Sequence, residues 1–206
     1  MVREIMVVSR EELFKDAKFD GFKNAEKFDY EKIILNKFEY MEREKAEIDA
    51  MYKQPIAYNI IVNPLLKKVF VYQRSKKDKN YGEKRLQGKW SCGIGGHIER
   101  ADGADNPIKT SMRREMEEEA KFNFINYKPL GYINYDSNDV GKVHFGILYV
   151  IETDSEIVEP KDSEIAHGKL LSIKELEDIC NSPEFVVEDW TKIALEPLKK
   201  YFNSLK

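Results

Sequence analysis

The stretch "NPIKTSMRREMEEEAKF", residues 106–122, constrains the fold most. It is a helical pattern with strand patterns on both sides. Asn106 is a good N-cap, since its side-chain oxygen can accept from an early helical N–H. Pro107 suits the first helical position, where no donor is needed. The helix is predicted over residues 107–122, with Ile108, Met112, Met116 and Ala120 on one apolar stripe facing a core. Upstream, "PIAYNIIVN" and "VFVYQR" read as strand, turn, strand. Downstream, "YKPLGYINYD" and "VHFGILYVIET" read as two strands joined by a turn at "SNDVGK". "SIKELEDICN" reads as a short helix and "EDWTKIALEPLKKYFNSL" as a closing one, with a kink expected at Pro197. The pattern predicts an α/β fold, a mixed sheet with helices packed on its faces.

The first fifty residues have a different texture. "EIMVVS" reads as a strand, "REELFKDA" as a helix, and "FDYEKIILNKFEYMEREKAEI" as one longer helix. The expected organisation is an extension over residues 1–50, packed on a main domain over 51–206. Such an extension also suits a homodimer contact.

Composition removes several function classes. The formal net charge of -3 argues against wrapping duplex nucleic acid, which requires a basic surface. The two cysteines, Cys92 and Cys180, are far apart and form no Cys-x-x-Cys, so neither a thiolate zinc site nor a disulfide framework is expected. No apolar run reaches the roughly 18 residues of a membrane span, and the start lacks a signal-peptide pattern. A protein of the cytoplasm, with no membrane partner, is expected. Charged residues make up 34% of the chain, with Lys and Glu dominant, a signature found in thermophile proteins.

The chemistry concentrates in "RREMEEEAKF". Glu115, Glu118 and Glu119 stand at i, i+3 and i+4, so a helix makes them neighbours beside the apolar stripe, while Glu117 points away. Like charges at this spacing cost about 0.2–0.5 kcal/mol per pair. Arg113 and Arg114 can compensate, Arg114 by reaching Glu118 at i+4. So can a hard divalent cation, because Mg²⁺ takes carboxylate oxygens. Alone, the run is an ordinary solvated helix face. The segment "GIGGHIE" just upstream changes that, since glycines let backbone approach a phosphate or metal closely.

Together, "GGHIE … RREMEEEAKF" resembles the Nudix box. That pattern is Gly, five residues, Glu, seven residues, Arg-Glu, an apolar residue, any residue, Glu-Glu, any residue, Gly and an apolar residue. Gly96 matches the first Gly, Arg114 to Glu119 match the central core in full, and Phe122 matches the last apolar position. There are departures. Lys121 stands where the family has Gly. Asp102 stands where it has Glu, and eleven residues rather than seven then precede Arg114. Asp102 or Asp105 is left to replace the missing Glu. The resemblance covers roughly Gln54 to Ile179.

It implies a Nudix-type α/β/α sandwich and a MutT-like hydrolase. The cofactor would be Mg²⁺ or Mn²⁺, and the substrate a small-molecule diphosphate or a nucleotide. It implies Glu115, Glu118 and Glu119 as cation ligands, joined by the Gly95 carbonyl, with Arg114 holding the carboxylates. The general base would be a box glutamate such as Glu118, or Glu164 on a late loop. Arg74, Lys84, Arg85 and Lys89 flank the Gly-rich turn and suit phosphate contacts or a solvated loop equally. His97 suits a substrate contact or a structural hydrogen bond. His144 and His167 are isolated in sequence, Trp90 suits the core, and Cys92 suits a small buried apolar site. Two other functions share the fold. An isopentenyl-diphosphate isomerase-like enzyme would have a catalytic Cys two residues before His97, where this chain has Gly95. A non-catalytic nucleotide-binding Nudix-like regulator usually carries a DNA-binding module, and the segment after Glu188 is too short for a winged helix.

Overall fold

The structure, a computed structural model, describes residues 3–75, 84–103 and 105–205, together with the backbone but not the side chain of Lys84. The strands are β1 (Glu4–Ser9), β2 (Gly21–Asn24), β3 (Glu39–Glu42), β4 (Tyr52–Asn63), β5 (Lys68–Arg74) and β6 (Trp90–Ser91). They continue with β7 (Ala120–Lys121), β8 (Phe124–Asn134), β9 (His144–Thr153), β10 (Glu159–Pro160) and β11 (Ile165–Ser172). The α-helices are α1 (Arg10–Leu13), α2 (Tyr30–Lys37), α3 (Arg43–Ala46), α4 (Pro107–Glu119), α5 (Asp139–Val143), α6 (Ile173–Asn181) and α7 (Asp189–Ser204). This is the expected α/β class, with extra strands and helices at the N-terminal end. The chain divides into two compact units. Unit one is Met1–Tyr58, Gly95–Glu115 and Pro129–Tyr149; unit two is Asn59–Ile94, Met116–Lys128 and Val150–Lys206.

In unit one, β4, β9, β8 and β2 are neighbours in that order, and β1 pairs antiparallel with both β3 and the start of β4. Ile5, Val7 and Ala46 form one apolar cluster, with Met41 and Tyr52 packed against it. Tyr30, Tyr132 and Phe145 form an aromatic core; Tyr30 and Phe145 have centroids 5.4 Å apart, and Tyr132 stacks on Phe145 at 5.9 Å. Lys53 is fully buried here. Its ammonium donates to Asp136 Oδ1 at 2.8 Å, Gly141 O at 2.6 Å and His144 O at 3.1 Å, which meets the requirement that a buried charge be paired.

In unit two, β11, β5 and β4 are neighbours in that order, β6 lies on β5, and β10 pairs with β7. Val69, Phe70, Val71, Leu176, Ala194 and Leu198 are buried there. Ser172 and Glu175 form a capping box at the start of α6, each side chain accepting from the other's backbone N–H. Helix α7 runs through Pro197 rather than stopping at it.

Three elements differ from their sequence pattern. The long helix expected over residues 28–48 breaks into α2, β3 and α3. Phe38 leaves the helix in an extended conformation, and Glu39–Glu42 gains a ladder with β1, which replaces the helical hydrogen bonds. The turn expected at 137–142 closes into α5, because Asn138 Oδ1 accepts from Gly141 N at 2.7 Å and caps it. Helix α1 is shorter than expected and stops at Leu13.

Helix α4 begins as predicted, with Asn106 Oδ1 accepting from Lys109 N at 3.0 Å. Ile108, Met112, Met116 and Ala120 are buried, so the apolar stripe is real. The helix stops at Glu119, three residues earlier than expected. Ala120 and Lys121 instead pair with Pro160 and Glu159 as β7 on β10.

Candidate active site

The Gly-rich loop in unit one is packed too tightly for side chains. A Cβ at Gly95 would lie 2.1 Å from the Ala57 carbonyl oxygen of β4, and one at Gly96 would lie 2.3 Å from Glu115 Oε1. Neither glycine has a positive φ, so close approach rather than backbone conformation demands them. Gly96 forms the wall against which the buried Glu115 carboxylate lies. His97 continues the loop and makes an antiparallel bridge with Ile56.

Arg114 fixes this arrangement. Its Nε donates to Asp102 Oδ1 at 2.8 Å and its Nη2 to Asp102 Oδ2 at 3.1 Å, a two-pronged grip on one carboxylate. Nη1 donates to Glu115 Oε1 at 2.6 Å, and Nη2 also reaches the His97 carbonyl at 3.1 Å. The hydrogen bond to Asp102 raises the guanidinium pKa further above its ordinary value. Asp102 is buried and also accepts from Glu99 N at 2.8 Å. Asp102 therefore meets the box arginine, while Asp105 is exposed. Asp102 itself closes a short 3-10 turn, Arg100–Asp102, ahead of the longer segment that leads to Arg114.

In unit two, the last turn of α4 carries Glu118, exposed, and Glu119, half-buried. Glu117 is exposed, as expected of a surface residue. The Glu119 carbonyl accepts from Lys161 N at 2.8 Å, and the Lys161 ammonium donates to the Glu117 carbonyl. These bonds tie the late loop holding Glu164 to the end of α4. Glu164 is half-buried, its N–H donates to Asp162 Oδ1 at 2.7 Å, and its carbonyl accepts from Ser75 N at 2.7 Å. Arg74 is engaged by Glu188 and lies over the Tyr72 ring. Arg85 is exposed. Of the basic loop expected over 77–90, residues 77–83 and the Lys84 side chain lie outside the described residues. Cys92 is 1% exposed, as expected, whereas Trp90 is only half-buried, edge-on to Phe185.

One group in unit one escaped sequence reasoning. Glu47, His97 and His144 each aim a ligand-type atom into one spot, all within 4.8 Å of one another. His97 Nε2 lies 3.3 Å from His144 Nε2, 3.5 Å from Glu47 Oε1 and 2.7 Å from Gln54 Oε1. Burial pushes the His97 imidazole below its ordinary pKa. Burial would raise Glu47, but hydrogen bonding to His97 and nearby positive charge outweigh it and bring it down to about 2. No local spacing announces this set, since its members are far apart in sequence. Among the described residues, no helix is long and apolar enough to cross a membrane.

Comparison with known proteins adds four findings. The NUDIX domain family profile matches residues 53–190. Protein YmaB of Bacillus subtilis (strain 168) is 37% identical over 168 residues, covering 77% of each chain. The crystal structure of Tm1382, a candidate Nudix hydrolase, superposes with a TM-score of 0.79 at 27% identity, covering 96% of this chain and 99% of that one. The NUDIX domain of Shewanella oneidensis NrtR, solved with ADP ribose, shares the fold at a TM-score of 0.54 and 14% identity, covering 72% of this chain and 88% of that one.

Proposed function

The chain belongs to the Nudix family, with its α/β/α sandwich, and is a Nudix-type pyrophosphohydrolase assisted by a divalent metal; on that premise we propose that it cleaves a nucleoside diphosphate joined to a second group. The observation that carries this reading is the Arg114 contact set, which holds Glu115 against the Gly96 backbone beside the intact Arg-Glu-Met-Glu-Glu-Glu core. Glu115, Glu118 and Glu119 of α4 are the proposed cation ligands, with the Gly95 carbonyl. All are hard oxygen donors, which suits Mg²⁺ or Mn²⁺, and the lack of a Cβ at Gly96 lets the Glu115 carboxylate lie against the backbone of the Gly-rich loop. When bound, such an ion neutralises phosphate oxygens and lowers the pKa of a bound water.

The chain's own residues do the rest. Arg114 keeps Glu115 oriented through Asp102, so the carboxylate is set before substrate arrives. Glu164 takes the proton from the attacking water, on a loop anchored to the end of α4 by Lys161. Arg85, exposed, meets the substrate phosphates. Arg74 is committed to Glu188, and His97 to Gln54, so their part in substrate binding would be to hold the neighbouring backbone. The burial of Cys92 weighs against the isomerase alternative, which needs an accessible thiol.

The test is a panel of diphosphates, including nucleoside diphosphate sugars and dinucleoside polyphosphates, with Mg²⁺ or Mn²⁺. Turnover of at least one member, abolished by chelator and by Glu119→Gln, is expected. Tight nucleotide binding with no turnover of any member would instead make the chain a binding protein.

A further inference from the structure

The Glu47, His97 and His144 group is independent of the box carboxylates, and its chemistry is of another kind. Two imidazole nitrogens and one carboxylate suit Zn²⁺, whereas Mg²⁺ prefers oxygen alone. Hydrogen bonding fixes which atoms can ligate. His144 Nδ1 faces the Val140 carbonyl at 2.7 Å, so it carries the proton and Nε2 keeps its lone pair. This carbonyl-oriented imidazole is the arrangement that metal-ligating histidines favour. Gln54 Nε2 donates to the Ala46 carbonyl at 3.0 Å, which turns the amide oxygen towards His97 Nε2. In the metal-free state, one His97 N–H therefore faces the Gln54 oxygen, a Glu47 oxygen and His144 Nε2 together.

The spacing fits a cation in place of that proton. With Zn–N near 2.0–2.1 Å, two ligands of a tetrahedral zinc stand about 3.3 Å apart. His97 Nε2 and His144 Nε2 are 3.3 Å apart, and His97 Nε2 and Glu47 Oε1 are 3.5 Å apart. Gln54 Oε1, at 2.7 Å, is too close to be a second ligand as it stands. It would move aside or outward as the His97 proton shifts to Nδ1. Arg43 Nε also lies 3.6 Å from Glu47 Oε1 and is the competing positive charge.

We propose that Glu47, His97 and His144 form a Zn²⁺ site, separate from the α4 carboxylates, that clips the end of α3 and the start of β9 to the Gly-rich loop. The clip bears on the box through one residue. The side chain of His97 binds the zinc, and its carbonyl accepts from Arg114, the residue that holds Glu115.

The full chain, stripped with chelator and then equilibrated with Zn²⁺ in the presence of excess Mg²⁺, is analysed for bound metal. A single tightly bound zinc is expected in the wild type and in Glu118→Gln. His144→Ala and Glu47→Gln should bind it about tenfold more weakly or worse. Co²⁺ should give the visible absorption of a low-coordinate ion in the wild type and lose it in both variants. Circular dichroism checks folding, and if His144→Ala is unfolded, Glu47→Gln decides. No stoichiometric zinc in the wild type, unchanged zinc in a folded Glu47→Gln, or loss of zinc in Glu118→Gln would each overturn the proposal. The first would leave the group as a hydrogen-bonded cluster balanced by Arg43.

Discussion

The acidic face of α4 and the imidazole–carboxylate group of unit one are built in opposite ways. Glu115, Glu118 and Glu119 sit on one helix, so whatever forms α4 sets their spacing. Glu47, His97 and His144 come from the end of α3, the Gly-rich loop and the start of β9, so it is tertiary structure, not local spacing, that brings them together. A change on the helix should strike chemistry and spare the fold. A change around the dispersed group should strike the fold as well.

The largest expected effect tests the first half of this contrast. Glu118 is exposed, so Glu118→Gln removes a charge without opening a cavity. Activity on the substrate found by the panel should fall about a thousand-fold, or about 4 kcal/mol of barrier. The thermal midpoint should stay within a degree or two of wild type, or rise as like-charge repulsion is relieved. A drop of less than tenfold, or a large loss of stability, would mean the helix face is structural.

Asp136→Asn tests the second half. Asp136 lies beside the fully buried Lys53, whose ammonium also supports the Gly141 and His144 carbonyls. Removing the carboxylate leaves a buried charge without its counter-ion, at a cost of about 3 kcal/mol. The pH dependence has a definite sign. Burial alone would raise the Asp136 carboxyl, but hydrogen bonds from Arg10 and Lys53 hold it well below its ordinary range. Its contribution is therefore present above about pH 4 and lost as pH falls towards the folded value. Burial pushes Lys53 down from 10.5 to about 8, so between those values the unfolded chain binds more protons and stability rises with pH. Melting curves from pH 2 to pH 10 should show a flatter acid limb for Asp136→Asn. The alkaline rise should begin at a lower pH, because Lys53 has lost the carboxylate that helps it stay charged. Unchanged profiles would sink the account.

The same contrast explains what could be read from the residues in order. The cap at Asn106, the apolar stripe from Ile108 to Ala120 and the three glutamates are local patterns, and α4 displays them almost as written. β3 was illegible because its four residues also fit a helix, and only pairing with β1, from a distant part of the chain, decides the matter. His144 reads as an isolated histidine, since nothing near it in sequence names Glu47 or His97 as neighbours. The extra residues before Arg114 left Asp102 and Asp105 equivalent on paper. The closed turn at Arg100–Asp102 separates them, burying one against the guanidinium and exposing the other.

Asp102 lies between the two kinds of site, since it is distant from α4's carboxylates in sequence yet acts on Glu115 through Arg114. Asp102→Asn keeps the shape but halves the grip, because a neutral amide cannot accept both guanidinium bonds as a carboxylate does. Loss of such an orienting partner costs roughly 10–100-fold in metal affinity or activity. A Mg²⁺ titration of kcat/KM should show the midpoint moving to higher Mg²⁺. If the midpoint holds and only the melting temperature falls, Asp102 is a structural anchor and Arg114 does not depend on it for orientation.

The smallest effect is the most discriminating about α4 itself. Asn106→Ala removes the side-chain bond to Lys109 N and should cost about 1 kcal/mol. The loss falls on the first turn, and the freed Lys109 N–H is roughly one and a half turns from Glu115 along the helix. Glu115 is held independently by Arg114 and by the wall at Gly96. Activity should therefore change less than about twofold while the melting temperature drops, since fraying stays within the capped turn. A proportionate fall in activity would show that the carboxylates inherit their positions from the whole helix. Retained activity would show that Arg114 and the Gly96 wall are sufficient to hold Glu115, even when the start of α4 is loosened.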